Sequence, residues 1–214
     1  MTTNVDVYWS MRSPYSYLVT PDLIRLREDF DVNVRLRPVF PIAIRTKATL
    51  FEDNGQQKVG YILMDMMRRG EMLGMPIAFP KPDPIVQDMT TFTVADEQPY
   101  IYHLTSLAVE AERQGKGIDL AYAVSHLIWG GEPGWNEGNR LADAVASAGL
   151  SLSELEQAVE QYDWLAVVNE NHAALDAAGH WGVPTMVVNG EPFFGQDRID
   201  TLRWRLEKLG LLKG

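Results

Sequence analysis

Strand-forming character is confined to the two ends of this chain, and that restricts the fold more than any other feature of the sequence. Val5-Asp6-Val7-Tyr8-Trp9 alternates and is rich in strand formers, and Val32-Asn33-Val34-Arg35-Leu36 alternates again before ending at Pro38. Between them Ser13 has the properties of an N-cap and Pro14 those of a first helical residue. Tyr17, Leu18, Leu23, Ile24 and Leu26 then keep near-helical spacing to about Arg27. Two strands joined this way form a parallel pair with a right-handed crossover. Strand pattern returns only at Val183-Pro184-Thr185-Met186-Val187-Val188. Asn189-Gly190 signals a hairpin turn, Pro192-Phe193-Phe194-Gly195 supplies the returning strand, and Ile199 to Leu209 predicts a closing helix.

The middle of the chain reads as helix. Residues 42–57 predict a weakly structured loop and Lys58 to Leu73 a helix, and Pro76, Pro80, Pro82 and Pro84 punctuate the next segment. Gln98 to Gln114, Ile118 to Trp129, Glu137 to Ala148, Leu152 to Tyr162 and Leu165 to Ala178 all favour helix, separated by glycine-containing breaks. The expected class is therefore α/β, ordered β-α-β, helical block, β-β-α. Without the block this is the order of a thioredoxin-like core. The reading assigns residues 1–41 and 179–214 to that core, and 42–178 to a large all-helical insertion packed over one end of the sheet.

Composition narrows the functional classes. At 214 residues the chain can bury a substantial core. A formal net charge of -10 repels phosphate backbones and anionic membranes, which argues against nucleic-acid and membrane partners. Cysteine is absent, which excludes disulfides, cysteine nucleophiles and thiolate metal sites. His103, His126, His172 and His180 show no metal-ligand spacing, so no metal is expected. The start MTTNVDVYWS lacks the features of a secretory signal, and no apolar run is long enough to span a bilayer, so a cytoplasmic location is expected.

Taken alone, the notable residues have ordinary structural roles. Ser13-Pro14 caps a helix, and Ser16 is a polar residue of its first turn. Val183-Pro184 reads as a trans proline on an edge strand, and Asp197 as a cap for the helix beginning near Ile199. Lys58 would be solvated. Met64, Met66, Met67, Met72 and Met75 would fill core, although flexible thioethers also suit a pocket for flat aromatic substrates. The glycine-rich stretch WGGEPGWNEG, residues 129–138, lacks a phosphate-loop lysine and reads as a connection between helices.

Two stretches together suggest more. SPYSYL at Ser13–Leu18 and WGVPTMVVNGEPFFGQDRID at Trp181–Asp200 resemble the active-site turn and C-terminal signature of one family. This is the 2-hydroxychromene-2-carboxylate isomerase and kappa-class glutathione transferase family, within the wider DsbA-like group. Leu36–Pro38, Lys58–Tyr61, Met75–Pro80 and Asn171 fall in family-like order between them, so the resemblance covers nearly the whole chain. Arg12 stands where the family usually has an apolar residue.

The resemblance implies a glutathione cofactor. Thiol oxidoreductases of the group place Cys-x-x-Cys where this chain has Ser13-Pro14-Tyr15-Ser16, at a helix N-terminus that stabilises thiolate. Without sulfur of its own, the site would stabilise a thiolate brought in by glutathione, with Ser13 donating a hydrogen bond to it as the catalytic residue. Val183, before a cis Pro184, would pair with the glutathione backbone as an added strand. Gln196 and Asp197 would hold the γ-glutamyl end, and Lys58 would meet a carboxylate, with Asn171 also in the cofactor-binding set. The implied reaction is cis-trans isomerisation of 2-hydroxychromene-2-carboxylate to its open-chain benzylidenepyruvate, a small aromatic carboxylate substrate. A glutathione transferase acting on electrophiles and a non-catalytic DsbA-like binding protein are the alternatives, and a homodimer is compatible with either.

Overall fold

The computed structural model of the protein describes residues 2–45 and 55–214. The chain runs β1 (Thr3–Trp9), α1 (Pro14–Asp29), β2 (Val32–Pro38) and α2 (Ile42–Arg45), then α3 (Gly55–Leu73), α4 (Ile101–Arg113), α5 (Gly117–Trp129), α6 (Arg140–Ser147), α7 (Leu152–Val159) and α8 (Trp164–Ala177). It closes with β3 (Thr185–Val188), β4 (Glu191–Phe194), a 3-10 turn at Gln196–Arg198 and α9 (Ile199–Lys208). Four strands form one sheet in the order β2-β1-β3-β4. β1 pairs parallel with β2 and antiparallel with β3, and β3 pairs antiparallel with β4. This mixed sheet, with its β-α-β and β-β-α halves, is the thioredoxin-like α/β arrangement expected from the sequence.

Alternation along β1 sorts its two faces. Val5, Val7 and Trp9 enter the main core with Leu36, Met186, Val188 and Phe193. Asp6 and Tyr8 point the other way. Tyr8 meets Leu175 of α8 together with Val187, and Asp6 pairs with Arg35 and Arg37 on β2. The main core also takes in α4, α5 and α9 through Leu104, Leu120 and Leu202, so strands and helices share one apolar cluster. The hairpin turn has Asn189 at φ 50° and Gly190 at φ 80°, the paired positive values that a two-residue type I′ turn requires.

Two local features explain how α1 holds. Pro21 lies inside the helix and cannot donate to the carbonyl of Tyr17. The Thr20 hydroxyl donates to that carbonyl instead, at 2.7 Å. At its far end, Arg27 makes a two-bond contact with Asp119 on α5, at 2.7 and 3.0 Å, which ties the first helix to the helical block.

Several expectations change in detail. The sequence predicts a loop over residues 42–57, yet α2 and the first turn of α3 fall within them; the remaining residues of that stretch, 46–54, lie outside the described residues. A four-residue helix is too short to show a period, and Gly55 is a poor helix former that conceals the start of α3. The methionines divide by helix face rather than filling core together. Met66 is buried and Met75 packs against the core, but Met64, Met67 and Met72 are exposed. β3 begins at Thr185, because Pro184 has no N–H to contribute to a ladder. Between the proline-punctuated residues, Gln87 and Val94 form an isolated bridge outside the central sheet.

Candidate functional site

The loop from β1 to α1 places Ser13. Its backbone is extended, at φ -101° and ψ 118°, and its Oγ accepts from the Ser16 N–H at 3.1 Å, which makes it the N-cap of the 16-residue α1. Pro14 follows as the first helical residue, where its missing N–H costs nothing. Ser16 is fully buried: its carbonyl accepts from the Trp9 indole at 2.8 Å, so its role is structural. The loop is held from the other side by Trp129 at the end of α5, whose indole N–H donates to the Met11 carbonyl at 2.8 Å.

The capping bond uses one lone pair of Ser13 and leaves its proton. The hydroxyl's other contact is to the Val183 carbonyl at 3.5 Å, a distance at which a hydrogen bond contributes little. The proton is therefore nearly uncommitted. It sits beside the N–H groups of the first turn of α1, where the helix dipole favours negative charge.

Val183 reaches Ser13 from the other end of the chain, and the Val183-Pro184 bond is cis. Both Ser13 and Val183 line a cavity of about 290 Å³, with Arg12, Tyr15, Arg45, Ile62, Trp181 and Phe194 among the other walls. That volume is close to the lower end of the roughly 300–1,000 Å³ typical of small-molecule sites. A smaller apolar recess of about 40 Å³ shares Arg12, Pro14 and Ile62 with it and is floored by Met66, Phe79 and Trp129.

The other candidates are placed differently. Gln196 is buried, and its side-chain oxygen accepts from Arg69 of α3 at 2.7 Å. Asp197 is half-exposed and pairs with Arg198 at 3.1 Å. It does not cap α9, whose N-cap position is taken by Arg198 with no side-chain bond. Lys58 is exposed in the first turns of α3. Asn171 is buried beneath the end of β2, where its amide donates to the Pro38 carbonyl at 3.0 Å and its oxygen faces Arg37 at 3.5 Å. None of these four is among the residues lining the cavity, whereas Ser13 and Val183 are.

Arg12, unexpected at its position, is neutralised by Asp83 through bonds of 3.1 and 2.8 Å, and its guanidinium lies 5.3 Å from the centre of the Phe79 ring. It forms a wall rather than an open charge. Among the lining residues not singled out from sequence are Arg45 and the Trp181 and Phe194 rings at the cavity edge. Both rings lie within the C-terminal stretch that carried the resemblance, but a lone arginine in a stretch read as loop gives no signal.

With no cysteine in the chain, this centre cannot exchange disulfides with a thiol of its own. What it offers is a helix N-terminus and a weakly engaged hydroxyl beside a ligand-sized cavity, a setting that favours negative charge. Comparisons with known proteins agree with this architecture. The family model of the DSBA-like thioredoxin domain matches residues 4–207. A 2-hydroxychromene-2-carboxylate isomerase of Pseudomonas putida is 24% identical over 209 residues, covering 96% of this chain and 95% of that protein. Glutathione S-transferase kappa 1 of Rattus norvegicus is 23% identical over 216 residues, covering 94% of this chain and 90% of that protein. A solved structure of 2-hydroxychromene-2-carboxylate isomerase superposes with a TM-score of 0.69 at 22% identity, over 96% of this chain and 95% of its own. At that identity the likeness establishes the fold.

Proposed function

The chain belongs to the DSBA-like thioredoxin domain family, and from that premise we propose that it is a glutathione-dependent isomerase of 2-hydroxychromene-2-carboxylate-type compounds. The observation that carries the reading is the Ser13 hydroxyl at the cavity wall: its lone pair caps α1, while among the described residues its proton has no better acceptor than the Val183 carbonyl at 3.5 Å. When bound, glutathione supplies the thiolate whose reversible addition to a conjugated double bond lets that bond turn. Ser13 donates to the sulfur, and the first-turn N–H groups of α1 add their dipole, so the anion is favoured over the thiol. The Val183 backbone, ahead of Pro184, would hold the cysteinyl portion.

Asp197, half-exposed near the start of α9, takes the γ-glutamyl ammonium in this reading, with Gln196 beside it and Lys58 toward a carboxylate. Asn171 acts at a distance, by holding the end of β2. Ile62 and Ile85 contribute apolar surface to the cavity wall. A reduced thiol cofactor and a chain without cysteine fit a cytoplasmic setting. Among the described residues, no helix is long and apolar enough to cross a membrane.

The kappa-class relative favours a second reading, in which an electrophile is conjugated and the thiol is not returned. Product analysis separates the two. Incubation with glutathione and 2-hydroxychromene-2-carboxylate is expected to yield the benzylidenepyruvate isomer with glutathione recovered unchanged. A stable conjugate would establish the transferase reading instead. Absence of glutathione binding by calorimetry would leave a non-catalytic relative and end the proposal.

A further inference from the structure

Two guanidinium groups stand on the cavity wall, and their environments differ. Arg12 is matched by Asp83. Arg45, the last residue of α2, donates to the Trp181 carbonyl, and its buried Nε has no hydrogen-bond partner among the described residues. Among the described residues no carboxylate lies within ion-pair distance of it; Asp176 acts on it only through space. Burial pulls its affinity for the proton below that of an ordinary arginine, and its charge helps hold the nearby His172 neutral. A partly buried cation on the wall of a ligand-sized space, with no carboxylate within ion-pair distance among the described residues, is a site prepared for an anion.

The surroundings indicate what that anion is attached to. Trp181, held by Arg45 through its carbonyl, is 49% exposed, and Phe194 is 42% exposed; both rings edge the cavity. His180 stacks against both, with ring centres 5.2 Å from Trp181 and 4.0 Å from Phe194. Gly182 is required here, because a Cβ at that position would come within 2.5 Å of the Phe194 ring. The wall is thus a braced aromatic surface with a cation bonded to its backbone. Flat, apolar and anion-seeking, it matches a planar conjugated carboxylate.

We propose that Arg45 is the carboxylate-recognising residue of this cavity. The proposal rests on the isomerase reading for the identity of its ligands, and two of them carry a suitable group: the planar aromatic acid and the glycyl end of glutathione. Arg45 binds the carboxylate through the guanidinium N–H groups that the Trp181 carbonyl leaves uncommitted, and Trp181 and Phe194 supply the stacking face for an aromatic acid.

The test measures binding, so it does not depend on turnover. Quenching of tryptophan fluorescence is followed with trans-cinnamate, with its uncharged amide, and separately by calorimetry with glutathione. The wild-type protein is expected to bind at least one of the two carboxylates roughly 10- to 100-fold more tightly than Arg45→Gln does. Arg45→Lys should recover part of the loss, and melting curves of all three proteins exclude unfolding as its cause. Loss confined to cinnamate, with the amide unaffected, assigns the aromatic acid; loss confined to glutathione assigns its glycyl carboxylate. Unchanged affinity for both in a folded Arg45→Gln protein overturns the proposal, even if the wild type proves to be an isomerase. Failure of isomerase activity, with the cinnamate preference intact and dependent on Arg45, would overturn the isomerase reading alone.

Discussion

Replacing Ser13 by alanine is expected to raise the thiol pKa of bound glutathione by roughly one to two units and to slow turnover at neutral pH. The magnitude follows from the value of a hydrogen bond to a charged group, about 1.5–3 kcal/mol, at about 1.4 kcal/mol per pKa unit. A higher thiol pKa means less nucleophile at a given pH, so the rate loss should shrink as pH rises toward the new value. Some thiolate stabilisation survives, because the N–H groups of α1 remain. The same substitution removes the bond that Ser13 accepts from Ser16, and loss of an N-cap costs about 1 kcal/mol of stability. Both effects are expected together, since one oxygen both accepts and donates. Thiolate absorbance against pH, measured beside melting curves, separates them. A variant that melts earlier but titrates and turns over like the parent would reduce Ser13 to a cap.

The second large effect concerns Glu112 rather than the cavity. Its carboxylate accepts from the outward N–H of Leu36 on the edge strand β2, at 2.9 Å, and burial pushes its pKa up to about 7 despite that bond and the nearby Arg37 and Arg35. The folded protein therefore holds a proton there that the unfolded chain releases near 4.5, and stability falls as pH climbs between those values. His172 has the opposite slope. Burial and the charge of Arg45 hold it down to about 4, and its Nε2 accepts from the Phe40 N–H at 2.9 Å as a neutral ring must. Its contribution is complete above 6.5 and is lost as pH falls toward 4. Across the shared window the two groups nearly cancel.

Glu112→Gln keeps an acceptor for Leu36 and removes the ionisation. The stability difference between variant and parent is expected to be level in acid, to grow in the variant's favour from pH 4.5 to 7, and to stay constant above that. Its full size is about 1–3 kcal/mol, allowing for partial solvent access to the carboxylate. Urea midpoints at four or five pH values measure the curve. A difference with no slope through that window would show that Glu112 ionises normally in the folded state.

How far these residues were legible in sequence depends on the range of the interaction. The strands flanking Ser13 and the Asn189-Gly190 turn announce themselves through nearest neighbours, since alternation and paired positive φ are local properties. The N-cap at Ser13 is local too. Its exposed proton is not, because it depends on Val183 arriving from the far end of the chain. Glu112 lies on a face of α4 that a period analysis treats as polar; only the packing of that helix against β2 makes it a buried acid. Arg45 is less visible still, since its significance comes from having no counter-charge within reach among the described residues. Asp83, which neutralises Arg12 from within a proline-punctuated loop, could not have been paired with it by any spacing rule.

The position of β1 in the sheet also constrains how the chain is made. β1 lies between β2, which follows it within one helix, and β3, whose Val188 meets Val5 across roughly 180 residues. At about 5–20 residues per second, the ribosome takes roughly ten to forty seconds to deliver that second neighbour. During this interval the inner edge of β1 offers unpaired backbone groups to anything extended nearby, and only the helical block can shield it. Protease sensitivity of ribosome-bound chains of increasing length should show β1 becoming protected only after β3 has emerged; earlier protection would mean that the helices shelter the strand by themselves. β3 and β4 thus complete a sheet that β1 and β2 begin, and the newborn chain stays open to misassociation until that second pair has emerged.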